Sequence, residues 1–290
     1  MIFIDLGGTK TRILFNSKKL FNYFVDVFGE DFLIKNEKKK IIVFYSSLLK
    51  TKQKFFDFLE IFKQLNTKIF MAFPEPIYNG KIYSQKFPFL NELEVEKLKD
   101  FGVDFVVNDL KAFCYYHSSK FFSKKQNQDK ILLTIQIGTG VNGVPLNYWD
   151  FKNLNFLNRI YELGHIVFDY KGKSCKCGRE GCSELYISGS YLNKKTNNKV
   201  ELIKHIPSME KEYYNKLCYF LSSLIITTGA SKIIIGGGVA NLLDKEKIKE
   251  NIKQLFPYKI DYDFEIELDK NDFSVLEGLK GLSKKIFKYF

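Results

Sequence analysis

Apolar and polar positions along the chain fall into short blocks separated by glycine turns. Residues 2–6 (IFIDL) are apolar, carry β-branched side chains and end at Gly7-Gly8, which predicts a strand entering a tight turn. The runs 11–16 (TRILFN) and 20–27 (LFNYFVDV) predict the next two strands of a meander. KIIVFY (40–45) and TKIFMAF (67–73) predict buried strands, and between them QKFFDFLEIFKQL (53–65) spaces its apolar residues as a helix does. Residues 92–100 are expected to be helical. VDFVV (103–107) predicts a strand leading into Asn108-Asp109.

A similar order restarts after about residue 110. KILLTIQIG (130–138) predicts a strand, Gly138-Thr139-Gly140 a turn, and VNGVPL the start of another strand. A long buried helix is expected over 209–228, KIIIGGG (232–238) is a strand entering a glycine turn, and helical patterning follows from about 244 to 255. Residues 258–268 alternate as an edge strand would, and 274–290 has the pattern of a closing amphipathic helix. Two halves that each open strand, glycine turn, strand point to an ancient duplication of an α/β unit with a cleft between the copies. The expected division is a smaller N-terminal domain, 1–110, closed by the helix at about 274–290, and a larger domain, 111–273.

Composition narrows the function classes. With 45% hydrophobic residues the chain can bury a substantial core, and no uninterrupted apolar run reaches the ~18–20 residues of a membrane span. A soluble cytoplasmic protein with no membrane partner is expected. The net charge is +12, yet among 45 basic residues only Arg12, Arg159 and Arg179 are arginine. Base and phosphate recognition leans on the bidentate fork of Arg, and the lysines here are scattered, which argues against a nucleic-acid function. A positive field would still draw in a phosphorylated cofactor.

The densest chemistry lies between Glu162 and Glu184, E-L-G-H-I-V-F-D-Y-K-G-K-S-C-K-C-G-R-E-G-C-S-E. His165, Cys175, Cys177 and Cys182 make a complete tetrahedral set for zinc. Four soft ligands close such a site, so Glu162 and Glu184 are left over for something the loop presents, the substrate. The competing reading is a disulfide with a spare thiol. Five cysteines, the absence of a basic leader and the awkward C-x-C spacing count against it. Cys114 and Cys218 fall in apolar, helix-like stretches and read as core residues.

Three turns at strand ends are candidate phosphate cradles: Gly7-Gly8-Thr9-Lys10, Gly138-Thr139-Gly140 and the run ending Gly237-Gly238. Glycine lets backbone N–H groups approach an anion, and a Thr hydroxyl adds a donor. Each turn alone is as readily a hairpin. Asp5, at the end of the first strand, could hold magnesium, most simply through water. Asn108-Asp109 reads in isolation as a turn or helix cap, while beside a triphosphate site Asp109 is placed as a general base.

Taken in order, D-L-G-G-T-K-T-R (5–12), V-V-N-D (106–109), G-T-G (138–140), E-L-G-H (162–165), C-K-C-G-R-E-G-C-S-E (175–184) and I-I-I-G-G-G-V (233–239) resemble the ROK (repressor, open reading frame, kinase) family of sugar kinases. The C-terminal S-V-L-E-G-L-K-G-L resembles that family's closing helix. The resemblance implies an actin/hexokinase-like fold of two ribonuclease-H-like domains closing over ATP, Mg²⁺ and a hexose. It implies a hexose kinase acting on glucose or an N-acetylated hexosamine, usually at the 6-hydroxyl, with Asp109 as the base. Asn108, Glu162, His165 and Glu184 would bind the other hydroxyls, and His165 would share its second ring nitrogen with zinc. A non-catalytic sugar- or nucleotide-binding relative is the alternative. Some family members carry a DNA-binding helix-turn-helix, which is not expected here, and relatives are often dimers, which leaves a homodimer open. The chain departs from the family pattern at Pro74-Glu75-Pro76, at Val141-Asn142-Gly143-Val144-Pro145 and at F-L-N-R-I-Y (156–161).

Overall fold

The computed structural model describes residues 1–29, 32–65, 67–84 and 86–287, without the side chains of residues 202 and 259. The chain divides into two compact units, Met1–Tyr116 with Leu157–Ile160 and Phe273–Phe290, and His117–Phe156 with Tyr161–Asp272.

The first unit opens with β1 (Ile2–Leu6), buried throughout, which turns at Gly7-Gly8-Thr9 into the antiparallel β2 (Lys10–Phe15). The third meander strand expected over 20–27 is instead α1 (Lys18–Phe28). Its apolar residues Leu20, Phe21, Phe24, Val25 and Phe28 recur at helical spacing, and Ser17 caps it by accepting a hydrogen bond from Leu20 N. Aromatic density made this stretch look β-like; periodicity and cap make it a helix. The meander continues through β3 (Ile34–Asn36) and β4 (Ile41–Tyr45), then α2 (Lys52–Lys63) leads to the buried β5 (Ile69–Phe73). Three short strands, β6 (Ile77–Tyr78), β7 (Lys81–Ile82) and β8 (Leu93–Glu94), form a small sheet of their own. The helix expected over 92–100 is β8 followed by a 3₁₀ turn, Val95–Phe101, stopped by left-handed Gly102. β9 (Val103–Asn108) then runs into α3 (Asp109–Phe121).

The main sheet of this unit has the order β3-β4-β2-β1-β5-β9, with β1, β5 and β9 parallel and the others antiparallel. Its core is built of phenylalanines. Phe24 stacks on Phe62 at 5.2 Å and meets Phe58 edge-on at 6.1 Å.

The second unit repeats the plan. β10 (Leu132–Ile137) turns at Gly138-Thr139-Gly140 into antiparallel β11 (Val141–Leu146). After α4 (Tyr148–Lys152) comes a long loop, then α5 (Glu184–Ile187), α6 (Gly189–Lys195) and α7 (Pro207–Thr228), which buries one face and exposes the other. β12 (Lys232–Gly236), α8 (Lys245–Leu255) and β13 (Glu265–Leu268) complete the unit. The order β11-β10-β12-β13 again joins an antiparallel hairpin to parallel strands; β13 lies at the edge, but of the alternating run 258–268 only 265–268 forms a strand, the run opening instead in a 3₁₀ turn. Its core is mainly aliphatic, and Cys218 is fully buried in it.

The chain ends on α9 (Ser274–Ile286), which belongs to the first unit and packs an apolar face on β1 and β5. Residues 288–290 of the expected closing helix lie outside the described residues. Cys114 on α3 is fully buried, as expected. Among the described residues no helix is long and apolar enough to cross a membrane.

Candidate functional site

In the first unit, β5 and β9 run parallel and end side by side, Phe73 opposite Asn108. Asn108 is buried there. Its Nδ2 donates to the carbonyls of Phe73 (3.4 Å) and Glu75 (3.0 Å), and its Oδ1 accepts from Leu110 N (3.1 Å). Asp109 is half-buried at the first position of α3, with Oδ1 accepting from Leu110 N at 2.7 Å. Glu75 lies in the first departure from the family pattern, and its side chain turns inward to 9% exposure. Its carboxylate accepts hydrogen bonds from Ser84 Oγ and from Lys86 N (3.0 Å). Sequence reasoning flagged Glu75 as a departure and missed this role.

The Gly7-Gly8-Thr9-Lys10 turn of the same unit is held from outside. Ser46 Oγ donates to Gly7 O (2.6 Å), Ser46 N donates to Thr9 O (3.0 Å), and Thr11 Oγ1 lies 2.9 Å from Ser46 Oγ. Thr9 and Lys10 are exposed. Asp5 is buried, and Arg12 Nη1 donates to its Oδ2 at 3.1 Å. Burial pushes its carboxyl up from the ordinary value, against the pull of the Arg12 guanidinium. With one oxygen already facing a cation, the residue suits contact with a divalent ion through water better than direct ligation.

In the second unit the metal-type ligands come together. The ligand atoms of His165, Cys175, Cys177 and Cys182 all lie within 4.8 Å of one another. His165 Nδ1 is 3.6 Å from Cys175 Sγ, and Cys177 Sγ is 3.6 Å from Cys182 Sγ. His165 Nε2 faces the other way, 3.8 Å from Glu162 Oε2. Three thiols this close contend for negative charge. Burial and the neighbouring thiols push Cys182 up to about 12. Burial opposes ionisation of Cys177 too, but the Arg179 N–H and the thiols of Cys175 and Cys182 outweigh it and lower that thiol. A soft dication is what such a donor set accommodates, since it neutralises thiolates together.

Glycines shape the loop at two points. Gly181 has φ +63°, and a Cβ there would overlap Asp169 O. Gly164, between Glu162 and His165, packs flat on β11, where a Cβ would overlap Val141 O. The segment is also tied down by residues that sequence reasoning did not assign. Asn142 Nδ2 donates to Tyr161 O (2.7 Å), and its Oδ1 accepts from Leu163 N (2.9 Å), so the second departure from the family pattern holds the strand of chain carrying Glu162. Ser183 Oγ donates to Gly164 O at 2.8 Å.

Glu184 opens α5 and accepts a hydrogen bond from Val141 N (2.8 Å), one residue past the Gly138-Thr139-Gly140 turn. The start of α6 holds that turn from another side: Gly189 N donates to Gly138 O (2.7 Å) and Ser190 Oγ to Thr139 O (2.7 Å). Gly237 and Gly238 follow β12, which pairs in parallel with β10, so two candidate cradles sit at the carboxyl ends of adjacent parallel strands. That is where open α/β sheets bind ligands. Side chains added at Gly138 or Gly238 would meet nothing within 4 Å.

The ROK family profile matches residues 1–270. The xylose repressor of Bacillus subtilis (strain 168) is 31% identical over 102 residues, which is 35% of this chain and 25% of the repressor, so the chain matches about a quarter of that relative's length. Among solved structures, a ROK family glucokinase from Streptomyces griseus, in complex with glucose and AMPPNP, superposes with a TM-score of 0.69 at 16% identity, covering 98% of this chain and 99% of its own. A ROK hexokinase from Thermus thermophilus gives 0.64 at 16% identity, covering 99% of each chain. At these identities the likeness establishes the fold, an α/β actin/hexokinase-like architecture.

Proposed function

Because the chain belongs to the ROK family, we propose that it transfers the γ-phosphoryl group of ATP to a hexose, glucose or an N-acetylated hexosamine, at the 6-hydroxyl. The observation that carries this reading is the double-facing imidazole of His165, with Nδ1 among the thiols and Nε2 toward Glu162. Zinc held by His165, Cys175, Cys177 and Cys182 would supply rigidity rather than chemistry. Glu162, His165 Nε2 and Glu184 then accept or donate to sugar hydroxyls, and Asn108 does so in the first unit. Asp109 takes the proton of the attacking hydroxyl, an effect on the order of 10²–10⁴-fold in rate. The turns Gly7–Lys10 and Gly138–Gly140, with Gly237 and Gly238, would cradle phosphates, and Asp5 would hold magnesium through water, an ion that neutralises phosphate charge.

The test is ADP release by the zinc-loaded protein over a panel of hexoses. Turnover with at least one sugar is expected. Asp109→Asn should lower kcat about 10³-fold with sugar affinity nearly unchanged; retained turnover removes Asp109 as the base. The likeness to the xylose repressor favours a second reading, sugar sensing without phosphorylation. Sugar binding seen by calorimetry, with no ADP release from any hexose, would establish it in place of the first.

A further inference from the structure

We propose that Lys86 is a further phosphoryl-contacting residue of this site and that Glu75 is the residue that positions it. The proposal rests on the kinase reading above and adds a charge that no motif assigns.

The Lys86 side chain lies over the first glycine turn. A Cβ at Gly8 would begin 3.1 Å from Lys86 Cδ and 3.7 Å from its Nζ, so the lysine lies against the open face of Gly8. The ammonium spends one of its three donors on Pro74 O, at 3.3 Å. Pro74 follows directly on β5, whose last residue pairs with Asn108 at the end of β9, and Asp109 opens α3 just after it. The cation therefore stands among the phosphate turn, the end of β5 and the corner that holds the candidate base, all within one unit. Phosphoryl transfer gathers negative charge on the moving group, and a fixed cation at that point is worth more in the transition state than in the ground state.

What makes the lysine a fixed feature is Glu75. Its buried carboxylate accepts from Lys86 N (3.0 Å) and from Ser84 Oγ, and Ser84 Oγ in turn accepts from Phe87 N (2.9 Å). Ser84 N donates to Asn91 Oδ1, and the Glu75 carbonyl accepts from Asn108. Glu75 thus ties Ser84 and Lys86, through its carboxylate, to the Asn108 corner, through its carbonyl. A glycine at position 75 would keep the carbonyl bond and lose both carboxylate bonds. The departure from the family pattern at Pro74-Glu75-Pro76 and the lysine over the turn are one device.

The experiment compares wild type, Lys86→Met, Glu75→Gln and the double variant. It reads kcat/KM for ATP, sugar affinity, and the ratio of affinities for a non-hydrolysable triphosphate and for ADP. Lys86→Met keeps the aliphatic stem of an exposed residue, so folding is preserved. It should lower kcat/KM for ATP about 10²-fold and reduce the triphosphate-to-diphosphate preference, with sugar affinity within about twofold. Glu75→Gln should give a smaller loss, about fivefold, that disappears in the Lys86→Met background. Unchanged kcat/KM and unchanged preference in Lys86→Met would overturn the contact. A full Glu75→Gln loss in the double variant would overturn the positioning role. A wild type that binds neither nucleotide would overturn the kinase reading itself, and this inference with it.

Discussion

In the second unit, the four metal-type ligands lie between His165 and Cys182, a stretch whose side chains are mostly exposed. In the first unit, the Asn108 corner is assembled from β5, β9 and the residues Glu75, Ser84 and Lys86, and Glu75, Ser84 and Asn108 are all buried. The loop has almost no apolar contacts with which to hold its shape, so on the metal reading proposed above its order would depend on the ligand set. Among its described residues the corner has no metal-type set, and it rests on buried polar groups that satisfy one another. Two ways of fixing candidate binding side chains therefore sit in one chain, one local and chemical, the other distant and packed.

Metal removal should separate the two most. Structural zinc sites are worth on the order of 10–16 kcal/mol in small peptides. A chelator should strip hydrogen-exchange protection from amides across 166–181 and abolish sugar binding, while amides across 74–87 keep their protection. Equal loss in both regions would end the contrast. Next in size, Gly164→Ala sets a Cβ against Val141 O and should cost about 3 kcal/mol in thermal unfolding, with the loss concentrated in the second unit. An unchanged midpoint would mean that the Glu162 segment is not pinned to β11.

The clustering of His165, Cys175, Cys177 and Cys182 was legible because these donors are close in sequence and their chemistry is specific. The strands were legible because a glycine turn after a β-branched run is a local signal, as at Ile2–Gly8 and Leu132–Gly140. α1 was misread because a run of phenylalanines satisfies both strand and buried-helix patterns, and only the spacing of Phe21, Phe24 and Phe28 with the Ser17 cap decides. The roles of Glu75 and Asn142 could not be read at all. Their partners stand 9 to 33 residues away, and a long-range hydrogen bond leaves no mark in local sequence.

Asn142→Ala tests the link between β11 and the loop. It removes the acceptor for Leu163 N and the donor to Tyr161 O and should cost about 2 kcal/mol. Because those bonds hold the chain entering the metal loop, metal affinity should fall as well. A stability loss with full metal affinity would show that the loop closes on its metal independently of β11.

Ser84→Ala carries the smallest expected effect and isolates the corner. The serine bridges Glu75 and Phe87 N, so its loss leaves a buried carboxylate oxygen short of one donor and a backbone N–H short of its acceptor. About 1–2 kcal/mol is expected, because Glu75 keeps its bond from Lys86 N. The diagnostic feature is not the size but its indifference to metal. If the corner stands on its own polar network, the shift in unfolding midpoint measured on the metal-loaded protein should reappear in the chelated one, whereas the cost of Asn142→Ala should shrink once the loop has already been released. A Ser84→Ala cost that also shrinks on chelation would mean that the two regions unfold together, and that the difference between them lies in how they are built rather than in how they fail.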